Sequence, residues 1–206
     1  MSGQDTVIVV DDDAGVRDAL RNLFESVDLK VLVFGSADAL LKARLPDVPS
    51  CLVLDIRLPG VSGLEFQSHL NRSGIRLPVI FITGFGDIPM SVRAMKGGAI
   101  DFLTKPFRDQ DMLDAVSVAI ERDRGHREAG KAVETLRTLH AQLTAREAEV
   151  MGFVVKGLLN KQIAGEMSLS EITVKIHRGH MMRKMQAASV ADLVRMSELL
   201  GIHEMN

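Results

Sequence analysis

The chain has a single cysteine, Cys51, within the apolar run Cys51-Leu52-Val53-Leu54. An internal disulfide is therefore excluded, and a buried thiol in a reducing cytoplasm is the expectation. No apolar stretch approaches the ~18 residues needed to cross a bilayer. The segment from Met1 to Val10 has no basic region ahead of its apolar run, so neither export nor membrane insertion is expected. Internal repeats and low-complexity tracts are absent as well. A formal charge of −2 says little until the chain is divided near residue 125. Residues 1–125 then carry 14 Lys+Arg against 18 Asp+Glu, and residues 126–206 carry 11 against 9. That asymmetry has the sign of an acidic site joined to a reader of nucleic acid.

What is present suits a globular protein. A length of 206 residues, with 46% hydrophobic and 25% charged residues, predicts one domain of about 120 residues and a smaller companion. From Val7 to Glu121, short apolar runs alternate with helical periodicity, the pattern of a parallel sheet covered by helices. Strands are predicted at Val7–Val10, Lys30–Phe34, Cys51–Leu54, Val79–Thr83 and Ile100–Thr104. Helices are predicted at Ala14–Ser26, Ala37–Ala43, Gly63–Asn71, Ile88–Lys96 and Asp109–Asp123. Five successive βα units indicate a flavodoxin-like α/β fold. Gly125–Leu143 is charged and helix-prone, either a solvated helical linker or a short coiled coil along Ala129, Val133, Leu136, His140 and Leu143. Beyond it no strand pattern appears, and helices are predicted at Ala145–Lys156, Asn160–Met167, Ser170–Met185 and Val190–Leu200.

The chemistry of the first half lies at strand ends. Asp11, Asp12 and Asp13 follow the first strand and Asp55 follows the third. In an open parallel sheet such ends converge on the ligand crevice. Asp13 is placed to cap the helix that begins at Ala14. The other carboxylates, crowded together, repel unless a hard cation such as Mg2+ joins them. Thr83 ends the fourth strand and Lys105 follows the fifth, at the same edge. An aspartate can attack phosphorus to give an acyl phosphate, and an ammonium and a hydroxyl can then hold the phosphoryl oxygens. Lys105 precedes Pro106, where a cis bond is accessible and would aim the lysine inward.

Four motifs carry a resemblance over Val7 to about Glu121. They are Val-Val-Asp-Asp-Asp, Leu-Asp-Ile-Arg-Leu-Pro-Gly-Val-Ser-Gly, Ile-Thr-Gly-Phe-Gly-Asp-Ile-Pro-Met and Phe-Leu-Thr-Lys-Pro-Phe. At these residues the chain resembles the CheY-like receiver domains of bacterial two-component systems, in their FixJ-like branch. The resemblance implies that Asp55 is the phosphoacceptor and that Asp11, Asp12, Asp55 and the backbone carbonyl of Arg57 bind Mg2+ (or Mn2+). It also implies that Thr83 and Lys105 contact the phosphoryl group and that Phe102 is the aromatic switch. A phosphate adds about −1.5 to −2 charge; Thr83 would be drawn to it, Phe102 would turn into the vacated space, and the surface from Ile88 to Phe107 would change. Met90, Val92, Arg93, Met95 and Lys96 are the candidates for a phosphorylation-dependent homodimer contact. Neither Arg57 nor Phe85, which flank the attacking water in receivers, is an evident general base, so slow self-dephosphorylation is expected.

The second half has no enzymatic constellation. The predicted helix Ser170–Met185 carries Lys175, Arg178, Arg183 and Lys184 against Glu171 alone, which suits a helix entering the major groove. The runs Leu143-Thr144-Ala145-Arg146-Glu147-Ala148-Glu149-Val150, Gly157-Leu158-Leu159-Asn160-Lys161-Gln162-Ile163-Ala164 and Thr173-Val174-Lys175-Ile176-His177 look like the LuxR/NarL-type helix-turn-helix domain. That resemblance implies an all-α four-helix fold, with Ser170–Met185 as recognition helix and Val190–Leu200 as a dimer helix. Lys161, Thr173, Lys175, Ile176 and Arg178 are placed on DNA, with Lys175 and Ile176 nearest base edges. Gly179 occupies a groove-facing position where the family often has a longer side chain.

These readings divide the chain into a receiver (1–123), a helical linker (124–142) and a DNA-binding domain (143–206). A sensor histidine kinase, a double-stranded operator, a second copy of the chain and RNA polymerase are the expected partners. An aspartate-based phosphatase would need a second carboxylate two positions after Asp55, where Arg57 stands, so a non-enzymatic transcription regulator is expected. A regulator that binds a small molecule would not need Asp55, Thr83 and Lys105 at strand ends.

Overall fold

The computed structural model describes residues 4–84 and 88–202. The chain divides into two compact units, Met1–Arg127 and Glu128–Asn206. In the first unit, β1 (Thr6–Val10), β2 (Lys30–Phe34), β3 (Ser50–Asp55), β6 (Val79–Thr83) and β7 (Asp101–Thr104) form one sheet. Its order is β2-β1-β3-β6-β7, all parallel. Every residue of β1, β3 and β6 is buried, which explains their near-continuous apolar sequences: each strand faces helices on both sides.

Those helices are α1 (Ala14–Glu25), α2 (Ala37–Lys42), α3 (Gly63–Arg72), α4 (Ile88–Lys96) and the start of α5 (Asp109–Ala141). Odd and even strand positions feed different cores. Ile8, Val10, Leu52, Leu54 and Phe81 pack with Leu40, Phe66 and Ala94, while Val7, Val9, Val53 and Ile82 pack with Phe24, Met112 and Ala119. Cys51 is fully buried in the second of these.

Two features depart from the sequence expectations. A two-residue antiparallel ladder, β4 (Arg57–Leu58) with β5 (Val61–Ser62), follows Asp55 directly. It turns at Gly60, whose φ of 86° is a left-handed conformation suited to glycine. In addition, α5 does not stop at Asp123 but runs on without a break to Ala141. Gly125 lies inside it, and an interior glycine costs only about 1 kcal/mol against alanine. Buried Asp123 helps to hold this part of the helix: its Oδ2 accepts from the Ser50 amide at 2.9 Å and from Arg127 Nε at 2.6 Å.

The second unit is helical, with α6 (Ala145–Val155), α7 (Asn160–Met167), α8 (Glu171–Lys184) and α9 (Val190–Leu199) around Val150, Met151, Val154, Ile163, Val174, Met181, Met185 and Leu193. Thr144 and Glu147 form a reciprocal capping box at the start of α6. Ser168, in the left-handed conformation, ends α7, and Ser170 caps α8. No helix among the described residues is long and apolar enough to cross a membrane.

Candidate functional site: an acidic crevice and a basic helix

The sheet register assembles the acidic crevice. Val10 pairs with Leu54, so Asp11 and Asp55 emerge side by side where the strand order reverses between β1 and β3. Thr83 pairs with Thr104, and the next amide, that of Lys105, donates to the Thr83 carbonyl at 2.8 Å. Lys105 thereby returns over the same edge. Its Nζ lies 2.6 Å from Asp11 Oδ2 and 2.8 Å from Asp55 Oδ2, joining side chains 94 and 50 positions away in sequence. The Lys105-Pro106 bond is cis.

Each carboxylate is also held by backbone. Asp11 Oδ1 accepts from the Asp13 amide at 2.9 Å, and Asp55 Oδ1 accepts from the Arg57 amide at 2.8 Å. Arg17, unremarked in the sequence, donates to the Asp11 carbonyl at 2.7 Å. Gly63 is required by close approach: a Cβ there would lie 2.5 Å from the Asp55 carbonyl oxygen. Asp13 caps α1 as expected, accepting from the Gly15 and Val16 amides.

Asp11 is fully buried, Asp55 nearly so and Asp12 exposed. Burial pushes the Asp11 carboxyl above its ordinary range, with the Lys105 hydrogen bond opposing it. For Lys105, partial burial favours the neutral amine but is outweighed by the bonds to Asp11 and Asp55, so the ammonium is held above its ordinary value. Asp11, Asp12 and Asp55 each offer a ligand oxygen, and these oxygens lie within 4.8 Å of one another. Hard oxygen donors of that number suit a divalent cation such as Mg2+.

The remaining first-unit candidates surround this crevice. Thr83 is buried at the end of β6 and Arg57 is exposed in β4. Phe102 is half-buried and packs against the core that holds Ala94, together with Met90. Met90 thus faces inward, whereas Val92, Arg93, Met95 and Lys96 are exposed on α4. Phe85 lies outside the described residues.

In the second unit, Lys161, Lys175 and Ile176 are exposed. Two other candidates have partners inside the fold. Arg178 Nη1 donates to Asn160 Oδ1 at 2.8 Å, bridging α7 and α8, and the Thr173 hydroxyl is 2.8 Å from that of Ser170. Sequence reasoning also missed Glu147, whose buried carboxylate accepts from Lys184 Nζ at 2.6 Å and from the Thr144 amide at 2.8 Å. These contacts, Lys184 first, hold the Glu147 carboxyl down at about 2. His180, Arg183 and Lys184 line a basic cleft of about 350 Å³ beside it. Gly179 is exposed, and a Cβ there would meet nothing within 4 Å, so the fold itself does not require glycine.

Comparison with known proteins agrees with both halves. Residues 7–117 match the response regulator receiver domain family, and residues 141–197 match the luxR family of bacterial regulatory proteins. Nodulation protein W of Bradyrhizobium diazoefficiens is 61% identical over 196 residues, covering 95% of this chain and 86% of that protein. Among solved structures, the response regulator StyR superposes with a TM-score of 0.85 at 46% identity, covering 95% of this chain and 99% of StyR. Full-length FixJ from B. japonicum gives a TM-score of 0.55 at 35% identity, covering 96% of this chain and 97% of FixJ. The chain belongs to the two-component response regulators that join a receiver domain to a LuxR-type DNA-binding domain and regulate transcription.

Proposed function

We propose that Asp55 accepts a phosphoryl group from a sensor histidine kinase and that this modification controls operator binding by α8. The observation that carries the reading is the Lys105 ammonium held between Asp11 and Asp55 at the crevice. An Asp55 Oδ attacks phosphorus, the bond from phosphorus to the donor's nitrogen breaks, and the acyl phosphate that forms carries additional negative charge. Lys105 offsets that charge, and the Asp55 oxygen bonded to the Arg57 amide fixes the carboxylate's orientation. Thr83 supplies a hydroxyl at the neighbouring strand end. Asp11, Asp12, Asp55 and the Arg57 carbonyl would hold Mg2+ or Mn2+, which supplies charge neutralisation for the phosphoryl oxygens.

Charge and hydroxyl movement at Thr83 bias the Phe102 ring, which, like Met90, packs against the core cluster that includes Ala94 of α4. A changed α4 surface, with Val92, Arg93, Met95 and Lys96 exposed, then pairs with a second copy. Two α8 helices on two half-sites bind with avidity neither has alone. Lys175 and Ile176 face base edges. Lys161, Thr173 and Arg178 meet phosphates, with Arg178 also bridging α7 and α8 through Asn160. The chain acts in the cytoplasm as a regulator rather than an enzyme, with RNA polymerase as downstream partner. Without an evident general base at Arg57 or Phe85, the phosphorylated state is long-lived.

Incubation with acetyl phosphate and Mg2+, followed by intact mass measurement, tests the transfer. One added phosphoryl group, labile to hydroxylamine and absent from Asp55→Asn, is expected. Equal labelling of Asp55→Asn would contradict the assignment, as would a phospho-Asp55 half-life of seconds for the slow hydrolysis.

A further inference from the structure

The N-terminal half of the outward line of α8 is apolar, carrying two exposed isoleucines. Val174, Met181 and Met185 are fully buried and define the inward side of this helix. At about 100° per residue, their mean direction puts the outermost line almost midway between Ile172 and Ile176, about 20° from each. These two isoleucines are 74% and 52% exposed. Gly179 and Arg183 continue the same line, with Lys175 and His180 flanking it, and all four are exposed. Glu171, the one carboxylate of α8, falls well to the side. An exposed isoleucine pair offers no hydrogen bond to a base edge, and the flanking cations attract a polyanion. The feature in the major groove that an isoleucine can recognise is the C5 methyl of thymine.

We propose that Ile172 and Ile176 form an apolar strip that reads thymine methyl groups, so that Ile172 is a specificity-determining residue of the operator complex. This rests on the reading that α8 enters the major groove. Four residues of helix span about 6 Å, comparable to two base steps at about 3.4 Å each. The strip therefore selects two thymines one or two steps apart in each half-site. Gly179, next along the line, leaves the backbone free to approach the groove floor.

The test uses the full chain with beryllofluoride and Mg2+ and a random-sequence duplex library. The enriched motif is then rebuilt with deoxyuridine replacing each thymidine in turn, which removes only the methyl group. For wild type, two positions per half-site are expected to lose about fourfold in affinity each, the effect of one buried methyl. Ile172→Ala should lose a similar factor on the thymidine duplex and be indifferent to deoxyuridine at one of those positions, while Ile172→Val keeps most of the discrimination. Because Ile172 is so exposed, the variants should melt with wild type. A motif lacking such thymines, or factors for Ile172→Ala and deoxyuridine that multiply at every position, would overturn the proposal while leaving DNA binding intact. Failure to enrich any duplex would overturn the underlying reading of α8 as well.

Discussion

Lys184 Nζ stands 2.6 Å from Glu147 Oε2, tying the last turn of the basic helix α8 to the capping box of α6. The carboxylate is buried and held at about 2, below its ordinary 4.5. A depressed acid contributes stability that is fully present above its unfolded value and is lost as pH falls through its folded value. Glu147→Gln should therefore be less stable than wild type at neutral pH. The gap should close as pH falls from about 4.5 towards about 2. Urea unfolding followed by helical circular dichroism measures this, since the chain has no tryptophan or tyrosine to report. A gap independent of pH would contradict it.

Asp123 anchors α5 through the buried Ser50 amide, and Asp123→Ala leaves that amide without its acceptor. A loss of about 2 kcal/mol in the first unit is expected. Asp123→Asn keeps an acceptor oxygen and should recover part of it. Equal denaturation midpoints for Asp123→Ala and wild type would show that the anchor contributes nothing.

Lys105→Ala removes the cation between Asp11 and Asp55. Removing one partner of such a pair destabilises, here by about 2 kcal/mol given that the lysine is partly exposed. A divalent cation gathered by the same carboxylates would compensate more where the ammonium is gone. Melting temperature should consequently rise more steeply with MgCl2 in Lys105→Ala than in wild type. Identical slopes would contradict this account of the crevice.

Gly179→Ala places a methyl in open space on the protein side. Helix stability should rise by about 1 kcal/mol. Affinity for the operator should fall, because the glycine lies on the outward line of α8; an unchanged affinity would show that the backbone does not closely approach DNA.

The sheet was legible because each central strand is buried on both faces and reads as an unbroken apolar run, as Val7–Val10 and Val79–Thr83 do. The crevice was legible for a related reason: parallel strands bring their carboxyl ends together, so Asp11, Asp55, Thr83 and Lys105 could be placed at one edge. The two-residue ladder after Asp55 is too short to show a period. The sequence reading separates a helix ending at Asp123 from a helix-prone linker beginning at Gly125; the two are one continuous α5, because a long helix absorbs an interior glycine. The bonds of Asp123 to Ser50 and of Glu147 to Lys184 span 73 and 37 positions and leave no local pattern. The resemblance places Arg178 and Thr173 on DNA; the packing of α7 on α8 gives Arg178 a partner in Asn160, while the partner of Thr173 is local, the Ser170 cap of the same helix.

In the proposed mechanism the phosphorylation state of Asp55 governs DNA binding. Its most direct test is the affinity of wild type and Asp55→Asn for a duplex selected from a random library, each with and without beryllofluoride and Mg2+. Coupling between distinct sites is typically worth a factor of about 5 to 150. Beryllofluoride should tighten wild-type binding by a factor in that range and leave Asp55→Asn unchanged. An Asp55→Asn protein that responds as wild type does, or a wild type that does not respond, would contradict the account.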